Sequence, residues 1–171
     1  MMLFSPRWLF LYPGFIMFLT GLLIMAWLLP QPRKIAGITF DIHTLFYGSL
    51  AMVVGFQSML FWIFVKIYGA REGIVPADPW FRSVSSVLTL EAGLVAGAVL
   101  LLVGLGLGVF ALTWWTDEHF GQLSATEVMR LVIPSGTSIL LAFQTAYGAF
   151  FISVLEIRAT RSAPSGTPRS F

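Results

Sequence analysis

The sequence predicts an all-α integral membrane protein whose four transmembrane helices form two hairpins, with a short interfacial helix between spans two and three. Hydrophobic residues make up 57% of the chain, and only 11% of its residues are charged. Soluble domains carry roughly 25% charged residues, and the mean hydropathy here is +0.86. Four apolar segments are each long enough to cross a hydrocarbon core about 30 Å thick as a helix. Lipid is therefore the expected solvent for most of the chain.

The first span and the segment after it have clear boundaries. The predicted spans cover residues 8–29, 43–68, 88–115 and 130–157. Pro30 and Pro32 end the first of them. This span is longer than the apolar core of a cleavable signal and is not followed by a small-residue cleavage site, so we expect a retained anchor. Ile35 and Ile38 flank Ala36-Gly37, which is compatible with a short β-hairpin.

The remaining connections carry helix-start signals. Asp41 can cap span two, because the positive end of a helix dipole favours a carboxylate. Asp78-Pro79 opens an interfacial helix, whose apolar residues recur at helical spacing up to Val87. Ser124 and Glu127 form a capping box before span four. The tail, residues 158–171, is rich in Ser, Pro, Gly and Arg and is predicted to be disordered.

The basic residues predict the orientation. With four spans, the side that holds both termini carries most of the Lys and Arg residues, and cytoplasmic segments carry that excess. This side holds Arg7, Lys66, Arg71, Arg82, Arg158, Arg161 and Arg169, and the other side holds Arg33, Lys34 and Arg130. We therefore expect both termini in the cytoplasm. The net charge of +2 without a clustered basic patch argues against nucleic-acid binding.

Three polar side chains lie within the predicted spans and are candidates for function. Gln57 and Gln144 lie near the middle of spans two and four, where they could line a polar path for a lipid headgroup or sugar. Hydrogen bonds between helices are the simpler explanation. Glu91 lies near the cytoplasmic start of span three. It could pair with Arg82 or Arg71, or lie near a catalytic domain. Stabilisation by the helix dipole is the simpler explanation.

A second candidate set lies at the cytoplasmic surface. Lys66, Arg71 and Arg82 could bind a lipid phosphate, although ordinary positive-inside anchoring explains them as well. The chain contains no cysteine, and its histidines and carboxylates lack metal-ligand spacing, so no metal site is predicted.

Span three carries glycines in two GxxxG steps that fall on one helical face, a pattern that predicts close helix packing. These glycines are Gly93, Gly97, Gly104 and Gly108.

An internal similarity links spans two and four. Residues 55–58 read GFQS and residues 142–145 read AFQT. Phe64 and Phe151 follow the two glutamines at the same offset. A parallel repeat of two helical hairpins would explain the similarity, and so would chance in a chain this rich in Phe.

A set of short segments carries a resemblance to a known family. Residues 4–14 read FSPRWLFLYPG, and the other segments are residues 41–44, 55–57, 71–73, 88–91, 130–134 and 143–144. These segments resemble the C-terminal membrane region of bacterial family-2 polyprenyl-phosphate glycosyltransferases, which are similar to dolichyl-phosphate mannose and glucose synthases. Residues 4–14 resemble the segment that enters the membrane in that family. The resemblance covers nearly the whole chain, and the segments follow in the same order.

The resemblance implies that catalysis takes place in a domain separate from the membrane region. In that family a cytoplasmic GT-A domain uses Asp-x-Asp carboxylates to hold a divalent metal and a nucleotide sugar. This chain begins where the membrane region begins and contains no Asp-x-Asp. We therefore expect neither a catalytic residue nor a cofactor in it, and a metal would belong to the GT-A domain. Alone, the chain should not transfer sugar.

The leading hypothesis is a membrane region that anchors and oligomerises such an enzyme and presents its polyprenyl phosphate at the cytoplasmic face of a bacterial inner membrane. It would be a fragment or a separate subunit, acting as a homo-oligomer or with a GT-A subunit. The alternative is a four-span translocase that flips polyprenyl-linked sugars, with Gln57 and Gln144 in its path. A third and weaker hypothesis is an unrelated structural membrane protein.

Overall fold

The computed structural model describes residues 7–35, 37–71, 89–117 and 125–161. Within them lie four long helices, each long and apolar enough to cross a membrane. They are α1 (Tyr12–Leu28), α2 (Ile42–Arg71), α3 (Leu90–Asp117) and α4 (Ala125–Arg161). The protein is thus a multi-pass, helical membrane protein, as its composition predicts.

The helix ends extend or trim the predicted spans by a few residues. Helix α4 begins before residue 130 and continues to Arg161, so its last turn enters the segment predicted as a disordered tail. The predicted interfacial helix, the capping residue Ser124 and residues 162–171 lie outside the described residues. A π-helical segment, Arg7–Leu11, leads into α1. Pro13 lies in the first turn of α1, where a missing N–H costs little.

The predicted β-hairpin between spans one and two is confirmed. Strands β1 (Arg33–Ile35) and β2 (Ile38–Phe40) pair antiparallel, with Arg33 opposite Phe40. Gly37 has a φ of 82° in the turn, a left-handed conformation that residues with a Cβ adopt only at a cost. The sequence therefore places glycine where this tight reversal needs it.

Helices α1 and α2 approach each other backbone to backbone. A Cβ on Gly21 would overlap the Gly48 carbonyl oxygen, and one on Gly55 would overlap the Gly14 carbonyl oxygen. Such small residues let membrane helices come close enough to gain dispersion energy, since lipid supplies no hydrophobic force between helices.

Helices α3 and α4 pack in the same manner. Gly104 lies against the Ser135 carbonyl oxygen, and Gly97 lies against the Ala142 carbonyl oxygen, each at 3.0 Å from an ideal Cβ position. The Ser135 hydroxyl donates a hydrogen bond of 2.7 Å to the Gly104 carbonyl oxygen. Gly93 and Gly108 also face α4, so the glycine face of α3 is its contact with that helix.

The two helix pairs share one packing register. Gly14 and Gly21 of α1 contact the carbonyl groups of Gly55 and Gly48 on α2. On α4, Ala142 and Ser135 are the equivalents of Gly55 and Gly48, because they are separated from them by the same number of residues as Gln144 is from Gln57. The carbonyl groups of Ala142 and Ser135 are contacted by Gly97 and Gly104 of α3. This correspondence supports the duplication of a helical hairpin, which the short sequence similarity alone left open.

Helix α2 also packs against α4, which joins the two pairs. Trp62 and Ile67 form a buried cluster with Ile152 near one end. Near the other end, Leu28 and Leu45 are buried together, with Ile133 of α4 packed against them.

Candidate functional site

A cavity of about 280 Å³ between α2 and α4 brings the two intramembrane glutamines together. Gln57 and Gln144 both line it, although they are far apart in the chain. The other lining residues are Leu60, Phe64, Tyr147, Gly148 and Phe151. The cavity therefore has an amide end and aromatic walls.

The aromatic walls consist of the two phenylalanines that the sequence comparison paired. The ring centroids of Phe64 and Phe151 are 4.7 Å apart, and the rings meet edge to face at 62°. This is a favourable geometry for two aromatic quadrupoles. Equivalent residues of the two similar segments thus face each other across the α2–α4 contact.

The amide end contains a buried acceptor. The Gln144 Oε1 atom is buried and accepts no hydrogen bond from the described residues. Gln57 is half-buried in the same cavity, so its N–H groups are potential donors to Gln144. A polar atom left without a partner in hydrocarbon is costly, so this cavity suits either an amide–amide bond or a polar guest.

Several hydroxyl groups of α2 and α4 donate hydrogen bonds to backbone carbonyls. Ser58 and Thr145, which correspond in the two segments, each donate to the carbonyl four residues earlier, at 2.9 Å and 2.7 Å. Ser49 and Thr137 likewise donate to carbonyls of their own helices. The protons of these four hydroxyls are therefore already bonded to backbone carbonyls within the bundle.

Of the three predicted phosphate-binding cations, Lys66 is the one whose side chain the structure describes. Lys66 is only 3% exposed and takes part in interactions within the fold, so it does not lie open at the surface. Arg71 is the last residue of α2, and Arg82 lies outside the described residues. A shared phosphate site of these three residues stays a prediction.

Glu91 lies where a helix-dipole role requires it. It is an exposed residue in the first turn of α3. The Ala92 N–H donates a hydrogen bond of 3.2 Å to the Thr89 hydroxyl, which caps the helix. A carboxylate beside the free N–H groups of a first turn is stabilised there.

Sequence reasoning missed an ion pair that links three helix ends. Arg130 of α4 binds the Asp41 carboxylate, and it also donates a hydrogen bond of 2.9 Å to the Leu28 carbonyl oxygen of α1. The Arg130 and Asp41 side chains are 12% and 27% exposed. The sequence places Asp41 and Arg130 on the same side of the membrane, and this was the one indication that they could form an ion pair.

The described residues contain no group of three or more His or acidic side chains placed to hold a metal ion. This part of the molecule is therefore a helical bundle with a cavity that two glutamines line and an ion pair at its helix ends.

The fold defines a polytopic helical membrane protein. A family profile described as "Glycosyltransferase family 2 C-terminal transmembrane region" matches residues 63–156. This match spans more than half of the chain, which therefore belongs to that family, as the resemblance predicted.

One curated relative is the low-salt glycan biosynthesis hexosyltransferase Agl6 of Haloferax volcanii. It is 31% identical over 160 residues, which cover 91% of this chain and 36% of the relative. The chain thus spans about a third of that protein's length. No solved structure matches the chain.

Proposed function

We propose that this chain is the membrane region of a polyprenyl-phosphate glycosyltransferase, which anchors the enzyme and presents its lipid phosphate at the cytoplasmic face. The proposal rests on the match of this chain to the glycosyltransferase family 2 transmembrane region and on its similarity to a relative named as a hexosyltransferase. Four apolar helices in contact with the bilayer supply the anchor. Sugar transfer would belong to a GT-A domain, in the same or a separate chain.

The finer architecture in this proposal is two helical hairpins in a bacterial cytoplasmic membrane, with a short interfacial helix between α2 and α3. The close glycine contacts within α1–α2 and within α3–α4 support the hairpins. The excess of basic residues around the termini supports cytoplasmic ends. The β-hairpin would then lie on the opposite side. Assembly as a homo-oligomer, or with a GT-A subunit, completes the proposal.

Lipid binding by the full chain in proteoliposomes tests this function. We expect retention of a polyprenyl phosphate in preference to the matching polyprenol, because the cytoplasmic cations recognise a phosphate. Equal retention of the two lipids would contradict the presenting role.

The same proteoliposomes test the translocase alternative. A fluorescent polyprenyl-linked sugar should stay in its leaflet, because four of the hydroxyls of α2 and α4 already donate to backbone carbonyls. Rapid transfer between leaflets that Gln57→Leu and Gln144→Leu abolish together would favour a translocase instead.

A further inference from the structure

Helix α4 contains a proline–serine–glycine run at which its backbone is weakest. Residues 134–136 read PSG, and Pro134 lies well inside the helix. Proline lacks the N–H that would bond the Arg130 carbonyl oxygen, and its ring crowds that carbonyl. Sharp bends in helices occur at proline and at Gly/Ser pairs. This run is therefore the place at which α4 bends most easily.

The residues around the run also favour bending. The Thr137 hydroxyl donates a hydrogen bond of 2.7 Å to the Ile133 carbonyl oxygen, across the proline. Bonds of this kind, from a hydroxyl to the carbonyl one turn earlier, often bend helices. Gly136 faces open space, so a change of angle toward its side meets no neighbouring helix.

A second cavity, of about 490 Å³, lies beside this run. It is formed between the first halves of α2 and α4, whereas the glutamine cavity lies between their second halves. Ser49 and Val53 line it on α2, and Gly136 and Thr137 line it on α4. The weakest part of α4 is thus a wall of this cavity, and a bend there changes the width of the cavity.

The two parts of α4 on either side of the run are bonded to different helices. After the proline, the Ser135 hydroxyl donates a hydrogen bond of 2.7 Å to the Gly104 carbonyl oxygen of α3. Before the proline, Arg130 binds the Asp41 carboxylate and donates to the Leu28 carbonyl oxygen. Asp41 directly precedes α2, and Leu28 is the last residue of α1. The first turns of α4 are therefore joined to the α1–α2 pair, and the rest of α4 to α3.

We infer that residues 125–133, the hinged segment, pivot at Pro134 and form a lid over the cavity beside them, with Arg130 as the latch. While Arg130 bonds Asp41 and Leu28, the segment is held against α1 and α2. When these bonds break, the segment swings away from α2 and opens the cavity on the side of the β-hairpin. The segment is about 13 Å long, so a change in bend of about 20° moves its tip by about 5 Å. The inference concerns the bundle itself and holds whether or not the chain presents a lipid phosphate.

Distances between spin labels, measured by double electron–electron resonance on the full chain in nanodiscs, test the hinge. The chain has no cysteine, so two introduced cysteines carry the only labels. Tyr47→Cys with Met129→Cys is the hinge pair, and Val54→Cys with Phe143→Cys is the control pair beyond Pro134. All four side chains are exposed, so the labels leave the packing intact. With the latch intact, we expect one distance in each pair.

Breaking the latch should change the hinge pair alone. Arg130→Gln should add a second distance, about 5 Å longer, to the hinge pair and leave the control pair unchanged, because only the segment before Pro134 swings. Asp41→Asn should have the same effect. Adding Pro134→Ala to Arg130→Gln should suppress the second distance, since alanine restores the N–H group that bonds the carbonyl of residue 130.

Four outcomes would overturn the hinge. The first is a single unchanged distance in both Arg130→Gln and Asp41→Asn. The second is a longer distance that persists with Pro134→Ala, because the pivot would then lie elsewhere. The third is equal broadening in both labelled pairs, which would mean a general loosening of the bundle. The fourth is a second distance in Lys34→Gln, which removes an exposed charge on β1 and should leave both pairs as in the wild type.

Discussion

Removal of the Asp41–Arg130 ion pair should destabilise the bundle measurably, although the pair lies at the edge of the membrane. Exposed ion pairs contribute about 0.2–1 kcal/mol, whereas removing one partner of a fully buried pair costs about 3–5 kcal/mol. With side chains 12% and 27% exposed, this pair lies between those limits. Arg130 also bonds the Leu28 carbonyl, so we expect Arg130→Gln to cost about 2–3 kcal/mol and Asp41→Asn slightly less.

A double-mutant cycle measured by steric trapping in bicelles tests this estimate. The two substitutions should couple by about 1–2 kcal/mol, because each removes the charged partner of the other side chain. Lys34→Gln is the control, since Lys34 is exposed on the neighbouring β1 strand and should change stability by less than about 0.5 kcal/mol. Additive effects of Asp41→Asn and Arg130→Gln would refute the ion pair as the link between the helix pairs.

Three further predictions follow from the packing and the orientation. Gly104→Ala should destabilise the bundle by about 1–3 kcal/mol through overpacking. Gly106 has open space around it, so Gly106→Ala is the control and should be neutral or slightly stabilising. Equal effects of the two substitutions in a thermal unfolding assay would contradict the α3–α4 contact. Gln144→Leu should change stability by less than about 1 kcal/mol, because interhelical hydrogen bonds in membranes average about 0.6 kcal/mol; a loss of several kcal/mol would indicate a larger structural role. The chain has no cysteine, so Thr39→Cys should react with an impermeant maleimide outside intact cells and Arg161→Cys should not, and the reverse pattern would invert the orientation.

Local patterns predicted much of this fold because the physics behind them is local. Hydropathy over a span's length located the four helices, and glycine at Gly37 between two apolar residues predicted the β-hairpin. The glycine spacing in α3 indicated a contact face, since side chains four residues apart lie on one side of a helix. Each of these inferences depends only on the residues of one segment and not on the helices that the segment packs against.

The ion pair and the buried lysine could not be predicted in that way. Asp41 and Arg130 are 89 residues apart, and each already had a sufficient local explanation, as a helix cap and as a loop cation. Lys66 lies at the end of an apolar run, where a surface position is the usual expectation, yet it is 3% exposed. Both features depend on which helices become neighbours, a property of the tertiary fold.

The identity of the lipid held by the native protein tests the central claim most directly. The full chain would be extracted from its own cell membrane into polymer-bounded nanodiscs, and its lipids would be quantified by mass spectrometry. We predict that polyprenyl phosphate is enriched several-fold over its share in the surrounding membrane. A lipid composition identical to the bulk membrane would contradict a region that presents this lipid phosphate.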